Sequence, residues 1–210
     1  MKRDPEEAVP VPRNTKAKIL DAALHLFNER GTAAVSTNHI AEGAGIAVGN
    51  FYYHFKNREE IVRHLFDRNV EETRVAFRPP ADASLTLDVL EKMVAANYEI
   101  LWRYRFLYRE LNVLLNRDPE LAQAFRAHRH YGFGSFELLI AAYAEAGVMK
   151  PIQSPEVKHR LAVTVWLVSE FYIPFLESHH TGLPENIANE GTALLRQVLE
   201  PYLAEVTHHD

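Results

Sequence analysis

The chain is 210 residues long and 47% hydrophobic, with 23 Lys+Arg against 28 Asp+Glu and a formal net charge of −5. That length allows one large domain or two small ones with a sizeable core, and the absence of cysteine excludes a disulfide framework and thiolate chemistry. No run of eighteen apolar residues occurs, so no membrane-spanning helix is expected. Residues 1–13, charged and rich in Pro and Glu, read as a flexible arm and not as a signal peptide, which makes the cytoplasm the expected location.

The first predicted helix covers residues 15–30, with Ile19, Ala22, Ala23, Leu26 and Phe27 on one face. Gly31 is placed to cap it in a left-handed conformation. The second covers residues 37–44, with Ser36 as N-cap and Ile40, Ala41 and Ala44 turned inward. Gly45 ends it, Ile46 fills the turn, and a short third helix spans residues 48–54. Asn57 opens a fourth, running from Glu59 to about Phe77, with Glu60 in a capping-box position. Two short helices joined across a tight glycine turn form a helix-turn-helix, whose second member enters the major groove of DNA.

The run Gly49-Asn50-Phe51-Tyr52-Tyr53-His54-Phe55-Lys56 falls on that second member. Adjacent tyrosines and a histidine suit a core poorly, because each polar tip needs a partner. In a DNA groove the tips can bond phosphates and base edges while the rings pack below. The competing reading is a packing corner of a helical enzyme.

Residues 15–65 resemble the N-terminal DNA-binding domain of the TetR/AcrR family of bacterial repressors. The match lies in Ile19-Leu20-Asp21-Ala22-Ala23, Leu26-Phe27, Arg30-Gly31, Ile40-Ala41, Ala44-Gly45-Ile46, the run from Gly49 to Lys56, and Glu59-Glu60. The resemblance implies DNA contacts from Thr37, Asn38, His39, Val48, Gly49, Asn50, Tyr52, Tyr53, His54 and Lys56. It assigns Tyr53 and Lys56 mainly to phosphates, while Phe51 and Phe55 are expected to point into the domain as packing residues. Two positions depart from the family, which often has Ser then Lys where this chain has Ala47 and Val48. That removes one N-cap and one phosphate contact, and lets Val48 meet a thymine methyl.

The overall charge of −5 conceals a local reversal. Between residues 13 and 58, Arg13, Lys16, Lys18, Arg30, Lys56 and Arg58 stand against Asp21, Glu29 and Glu42, a net of +3. Charges farther than about 8 Å are largely screened at physiological salt, so a basic face on an acidic body can hold phosphate. The modest +3 calls for two copies on the DNA.

Beyond residue 66 the chain reads as helices with polar, Pro-marked joints and no alternating strand pattern. Residues 78–82 form the first joint, with Ser84 as a cap. A helix follows over 85–103 and continues over 104–116. Asp118-Pro119-Glu120 and Ser154-Pro155-Glu156 each read as helix starts, for helices to about Ala146, closed by Gly147, and to about Glu177. Pro184-Glu185 opens the last, ending near Val206.

Two anomalies stand out in this half. Gly132 and Gly134 interrupt an aromatic stretch, and Pro174 sits inside Phe171-Tyr172-Ile173-Pro174-Phe175, where it should kink the helix. Missing side chains and kinks open space between helices, where ligands bind in bundles. Family resemblance likewise implies a small-molecule site in this half. A largely apolar ligand, aromatic or acyl, is therefore expected among Trp102, Phe106, Tyr131, Phe133, Phe136, Trp166, Phe171 and Tyr172. Filling Gly134 should block it. Glu99, Arg103, Arg109, Glu110 and Arg117 form a charged set, one of which could orient a polar ligand.

Other chemistry is weak. Gly43-x-Gly45 and Gly132-x-Gly134 follow no strand, which excludes a phosphate cradle. His25 with Glu29, His128 with His130, His179-His180 and His208-His209 lack metal-ligand spacing, so neither a metal nor another cofactor is expected. No catalytic constellation is recognisable. The expectation is an all-α protein with an arm over 1–13, a helix-turn-helix domain over 14–58, and a helical ligand-binding and dimerisation domain over 59–210. Its partners are double-stranded operator DNA, a small-molecule effector and a second copy, joined through the last two long helices. The alternative is a helical small-molecule-binding protein or enzyme with no role on DNA.

Overall fold

The computed structural model describes residues 15–79, 84–178 and 185–204. Among them are α1 (Thr15–Arg30), α2 (Thr37–Gly43), α3 (Val48–His54), α4 (Arg58–Ala76), α5 (Leu87–Arg103), α6 (Arg105–Arg109), α7 (Leu111–Arg117), α8 (Pro119–Glu145), α9 (Pro155–Ser178) and α10 (Ile187–Leu199). A short 3-10 turn follows at Glu200–Tyr202. No strand forms among the described residues beyond one antiparallel bridge, Met149 to Leu203. The chain divides into two compact units between Leu65 and Phe66.

In the first unit, α1 buries Ile19, Leu20, Ala23, Leu24, Leu26 and Phe27, a stripe at helical spacing. Gly31 takes φ 76°, where its N–H donates to the Phe27 carbonyl at 3.0 Å and closes the helix. Ser36 caps α2: its hydroxyl accepts from the His39 N–H and its own N–H donates to His39 Nδ1, each at 3.2 Å. Gly45, at φ 67°, lets the chain reverse, and the Ile46 N–H returns to the Ala41 carbonyl at 3.0 Å. Asn57 Oδ1 accepts from the Glu60 N–H at 2.9 Å, while the Glu60 carboxylate accepts from the Lys56 N–H at 2.7 Å. The reciprocal bond thus lands one residue before the cap.

The second unit is built on a cluster of Leu90, Val94, Tyr98 and Leu101 from α5 with Ile140, Tyr143, Leu161, Ile173, Leu195 and Leu199. α10 lies close on α5 because position 191 is glycine; a Cβ there would fall 2.5 Å from the Tyr98 ring. The end of α8 is tied to the C-terminal segment, with the Lys150 N–H on the Tyr202 carbonyl at 2.8 Å and the Ala204 N–H on the Val148 carbonyl at 3.0 Å. Asp118 caps α8, accepting from the Glu120 and Leu121 N–H groups at 3.0 and 3.1 Å with Pro119 behind it.

Several elements differ from their sequence-based outlines. Thr86, not Ser84, caps α5, accepting from the Val89 N–H at 3.2 Å. The helix expected over 104–116 breaks at Tyr104 and again at Glu110; the first break accompanies full burial of Tyr104 and Phe106. α8 continues through Gly132 and Gly134, and α9 stays helical through Pro174. α10 starts at the Asn186 cap and stops at Leu199, before Pro201; Pro184 and Val206 lie outside the described residues, as do residues 1–14, His179-His180 and His208-His209. α9 is, by length and composition alone, long and apolar enough to cross a membrane, with a mean hydropathy of 1.3 over eighteen residues, though Glu170 interrupts its apolar run. Its Leu161 and Ile173 belong to the core of this unit.

Candidate nucleic-acid interface and an interior cavity

The helix-turn-helix sorts the aromatic run cleanly. Phe51 and Phe55 are fully buried, their ring centroids 6.2 Å apart, whereas Tyr53 is 85% and Tyr52 53% exposed. Val48, Gly49, Asn50 and Lys56 also face solvent on α3 and just beyond it, with His54 half-buried against the edge of Tyr53. Asn38 and His39 are exposed at the start of α2, and Thr37 is half-buried. The hydroxyls of Thr37 and Tyr52 lie 3.0 Å apart, which brings the start of α2 to α3. His39 spends Nδ1 on its own cap, leaving Nε2 as the nitrogen that can point elsewhere. Ala47, the N-cap of α3, makes no side-chain bond. A Cβ at Gly49 would meet nothing within 4 Å, so packing within the protein does not require glycine there.

The basic residues are less uniformly available than their count implies. Arg58 Nη1 donates to the carbonyls of Thr32 and Val35 and so braces the loop between α1 and α2. Lys16 sits over the Phe55 ring at 5.3 Å and 3.2 Å from His64 Nε2. Arg13 lies outside the described residues.

Within the second unit is a cavity of about 690 Å³, a size that suits a drug-like molecule. Tyr131, Phe133, Phe136 and Trp166 line it together with Phe66, Phe77 and Tyr108. The other four expected ligand residues do not. Phe106 is fully buried, Trp102 packs on the core with Arg105 stacked 4.4 Å over its ring, Tyr172 sits edge-on to Tyr98 at 5.8 Å, and Phe171 is 45% exposed on the outer side of α9. The glycine that matters is Gly132, not Gly134. A Cβ at 132 would fall 2.3 Å from Trp166 Cζ3, while one at 134 meets nothing within 4 Å.

Sequence reasoning also missed the polar end of this cavity. Glu170, only 6% exposed, and Asn97, also 6% exposed, lie on its wall. Glu170 Oε2, His128 Nδ1 and Trp166 Nε1 are buried without hydrogen-bond partners, an expensive state for polar atoms unless something else meets them. Burial pushes the Glu170 carboxyl up to about 7, despite the nearby Trp166 N–H and the attraction of Arg129. Burial likewise holds His128 below its ordinary value, favouring the neutral ring. One signal was legible: Glu170 is the lone charge between Val163 and Ile173. The charged set singled out from sequence lies elsewhere. Arg103 pairs with Glu72 at 2.7 Å, Arg109 with Glu177 at 3.4 Å and Glu110 at 3.9 Å, and none of that set lines the cavity.

Comparison with known proteins agrees with this layout. The family model described as bacterial regulatory proteins of the tetR family matches residues 19–65. A second, described as bacterial transcriptional repressor, TetR, matches residues 68–210. A TetR-family transcriptional regulator from Marinobacter aquaeolei VT8 is 31% identical with a TM-score of 0.82, over 91% of this chain and 92% of that one. The probable HTH-type transcriptional regulator YttP of Bacillus subtilis is 28% identical over 57% of this chain and 61% of its own length. The HTH-type transcriptional regulator UidR of Escherichia coli K12 is 27% identical over 58% and 62%. The chain thus spans less than two thirds of the length of these two curated relatives. The helix-turn-helix at one end, the helical unit after it and the two family models that meet between residues 65 and 68 lead to one assignment: the chain belongs to the TetR family of bacterial transcriptional repressors.

Proposed function

We propose that this protein is a ligand-released repressor that binds a near-palindromic operator as a homodimer. The observation that carries the reading is the double membership of α4. Its first turns belong to the helix-turn-helix unit, and its Phe66, Asp67, Val70, Glu71, Thr73 and Arg74 form part of the cavity wall in the second. A molecule that prefers one setting of α4 changes the setting of α3 through a continuous helix. By linkage it lowers DNA affinity only by its own preference for the released state, typically about 1–3 kcal/mol.

On the DNA, Asn50, Val48 and Tyr52 are assigned to base edges and Tyr53, His54 and Lys56 to phosphates, with Thr37, Asn38 and His39 approaching from α2. Gly49 gives the duplex backbone a close approach. Seven residues of helix reach few bases, so specific affinity calls for two copies.

For the dimer, the structure favours α9 over the small residues of α10. Ala188 and Gly191 of α10 are buried inside the chain's own fold. Leu167, Phe171 and Phe175 instead recur every four residues along α9 at 51%, 45% and 57% exposure, with Leu194 of α10 at 38%. A stripe of that kind is the apolar seam of a helix-helix interface. The test on DNA is Lys56→Ala. It should weaken binding on all sequences alike and lower the salt slope by about one unit per chain. A changed base preference with an unchanged slope would refute the phosphate assignment.

A further inference from the structure

We propose that the effector is a cationic amphipath, an apolar aromatic or alkyl body carrying an amine or quaternary ammonium, whose positive head docks against Glu170. The proposal rests on the reading of the cavity as an effector site and adds the charge of its occupant.

Three features converge on that charge. Glu170 is 94% buried by exposure, lines the cavity, and keeps Oε2 without a partner. A buried carboxylate is costly unless a cation or several donors meet it. The charged side chains of the wall are Asp67, Glu71 and Glu170 against Arg74, and Arg74 is already paired with Glu71 at 2.6 Å. The wall therefore carries a negative excess. Finally, aromatic side chains line the space. Trp166, the best cation–π partner among side chains, stands one turn before Glu170, its ring edge-on to Phe133 at 5.3 Å. Tyr108 and Tyr131 also line the space. A cation would gain the carboxylate and the ring quadrupoles together, while an anion would meet both as repulsion. Arg129 attracts Glu170 but stacks on Phe125 at 5.2 Å and is not part of the wall.

The experiment uses three fluorescent probes of one skeleton, 4-(pyren-1-yl)butylamine, the corresponding butanol and the corresponding butanoate, titrated into the full chain at pH 8. The amine should bind about ten-fold or more tighter than the alcohol, and the butanoate weakest. In Glu170→Gln the advantage of amine over alcohol should collapse. Equal binding of amine and alcohol, or tightest binding of butanoate, overturns the proposal while leaving the cavity as an effector site. If none of the three binds or weakens the DNA complex, the effector reading falls with it. Should Glu170→Gln fail to fold, the wild-type series decides alone, since the three probes differ only in the head group.

Discussion

Replacing Glu170 with glutamine should make the protein more stable at neutral pH, by an amount that depends on pH. The side chain keeps its shape and loses its charge. In the native state burial raises the Glu170 carboxyl from 4.5 to about 7, so the folded protein binds its proton more tightly than the unfolded chain does. Stability from this group is therefore fully present below 4.5 and is lost as pH rises through about 7. Integrating the linkage relation between pH 5 and pH 8 gives a loss of about 2.5 kcal/mol in the wild type that the glutamine variant does not suffer. The groups that act on Glu170 are Trp166 on its own helix and Arg129 from α8, with Tyr108 of α6 coupled to it. Tyr108 is pushed upward, away from this window. His128 titrates in the opposite sense on acidification, but it is present in both proteins and cancels in the difference. Urea midpoints of both proteins at pH 5, 6, 7 and 8 supply the comparison. A gap that stays constant across that range would show that Glu170 is solvated or ion-paired, and would remove the physical basis for an electrically unsatisfied cavity.

Gly132→Ala should push the Trp166 indole out of place. The overlap of a Cβ at 2.3 Å costs about 1–3 kcal/mol, offset by about 1 kcal/mol of helix propensity. Gly134→Ala, facing open space, should instead stabilise by up to about 1 kcal/mol. Fluorescence of Trp166 in a Trp102→Phe background should shift in the first and not in the second; identical spectra would contradict the packing. Phe171→Asp, on the exposed stripe of α9, should leave a folded monomer in sedimentation at micromolar concentration with its operator affinity lost. A stable dimer carrying that change would move the interface elsewhere.

The DNA-binding unit was legible almost residue by residue because its signals are local. Ser36, Gly31, Gly45 and Asn57 each set a helix end through a bond or a backbone angle involving near neighbours, and the burial of Phe51 and Phe55 follows from their spacing. Charge was less legible, because Arg58 and Lys16 turn to partners that sequence distance hides. In the second unit the position of each aromatic depends on which helices meet, and periodicity does not say which. Trp102, Phe106 and Tyr172 lie at plausible spacing yet pack on core neighbours, while Tyr131, Phe133, Phe136 and Trp166 line the cavity. The glycines misled for a related reason. Gly132 does not break α8, because a tertiary contact with Trp166 makes the missing side chain useful. The break at Tyr104 came without any Gly or Pro to announce it; enclosing that tyrosine and Phe106 outweighs the lost helical continuity.

Selection of bound duplexes from a random DNA pool, followed by sedimentation of the recovered complex, decides whether two chains read one palindromic operator. The expected outcome is an enriched sequence with two inverted half-sites, two chains per duplex, and a complex weakened by salt. Asn50→Ala should lose the enrichment while retaining the fold. Recovery of no preferred sequence, or one chain bound tightly to a single half-site, would contradict it.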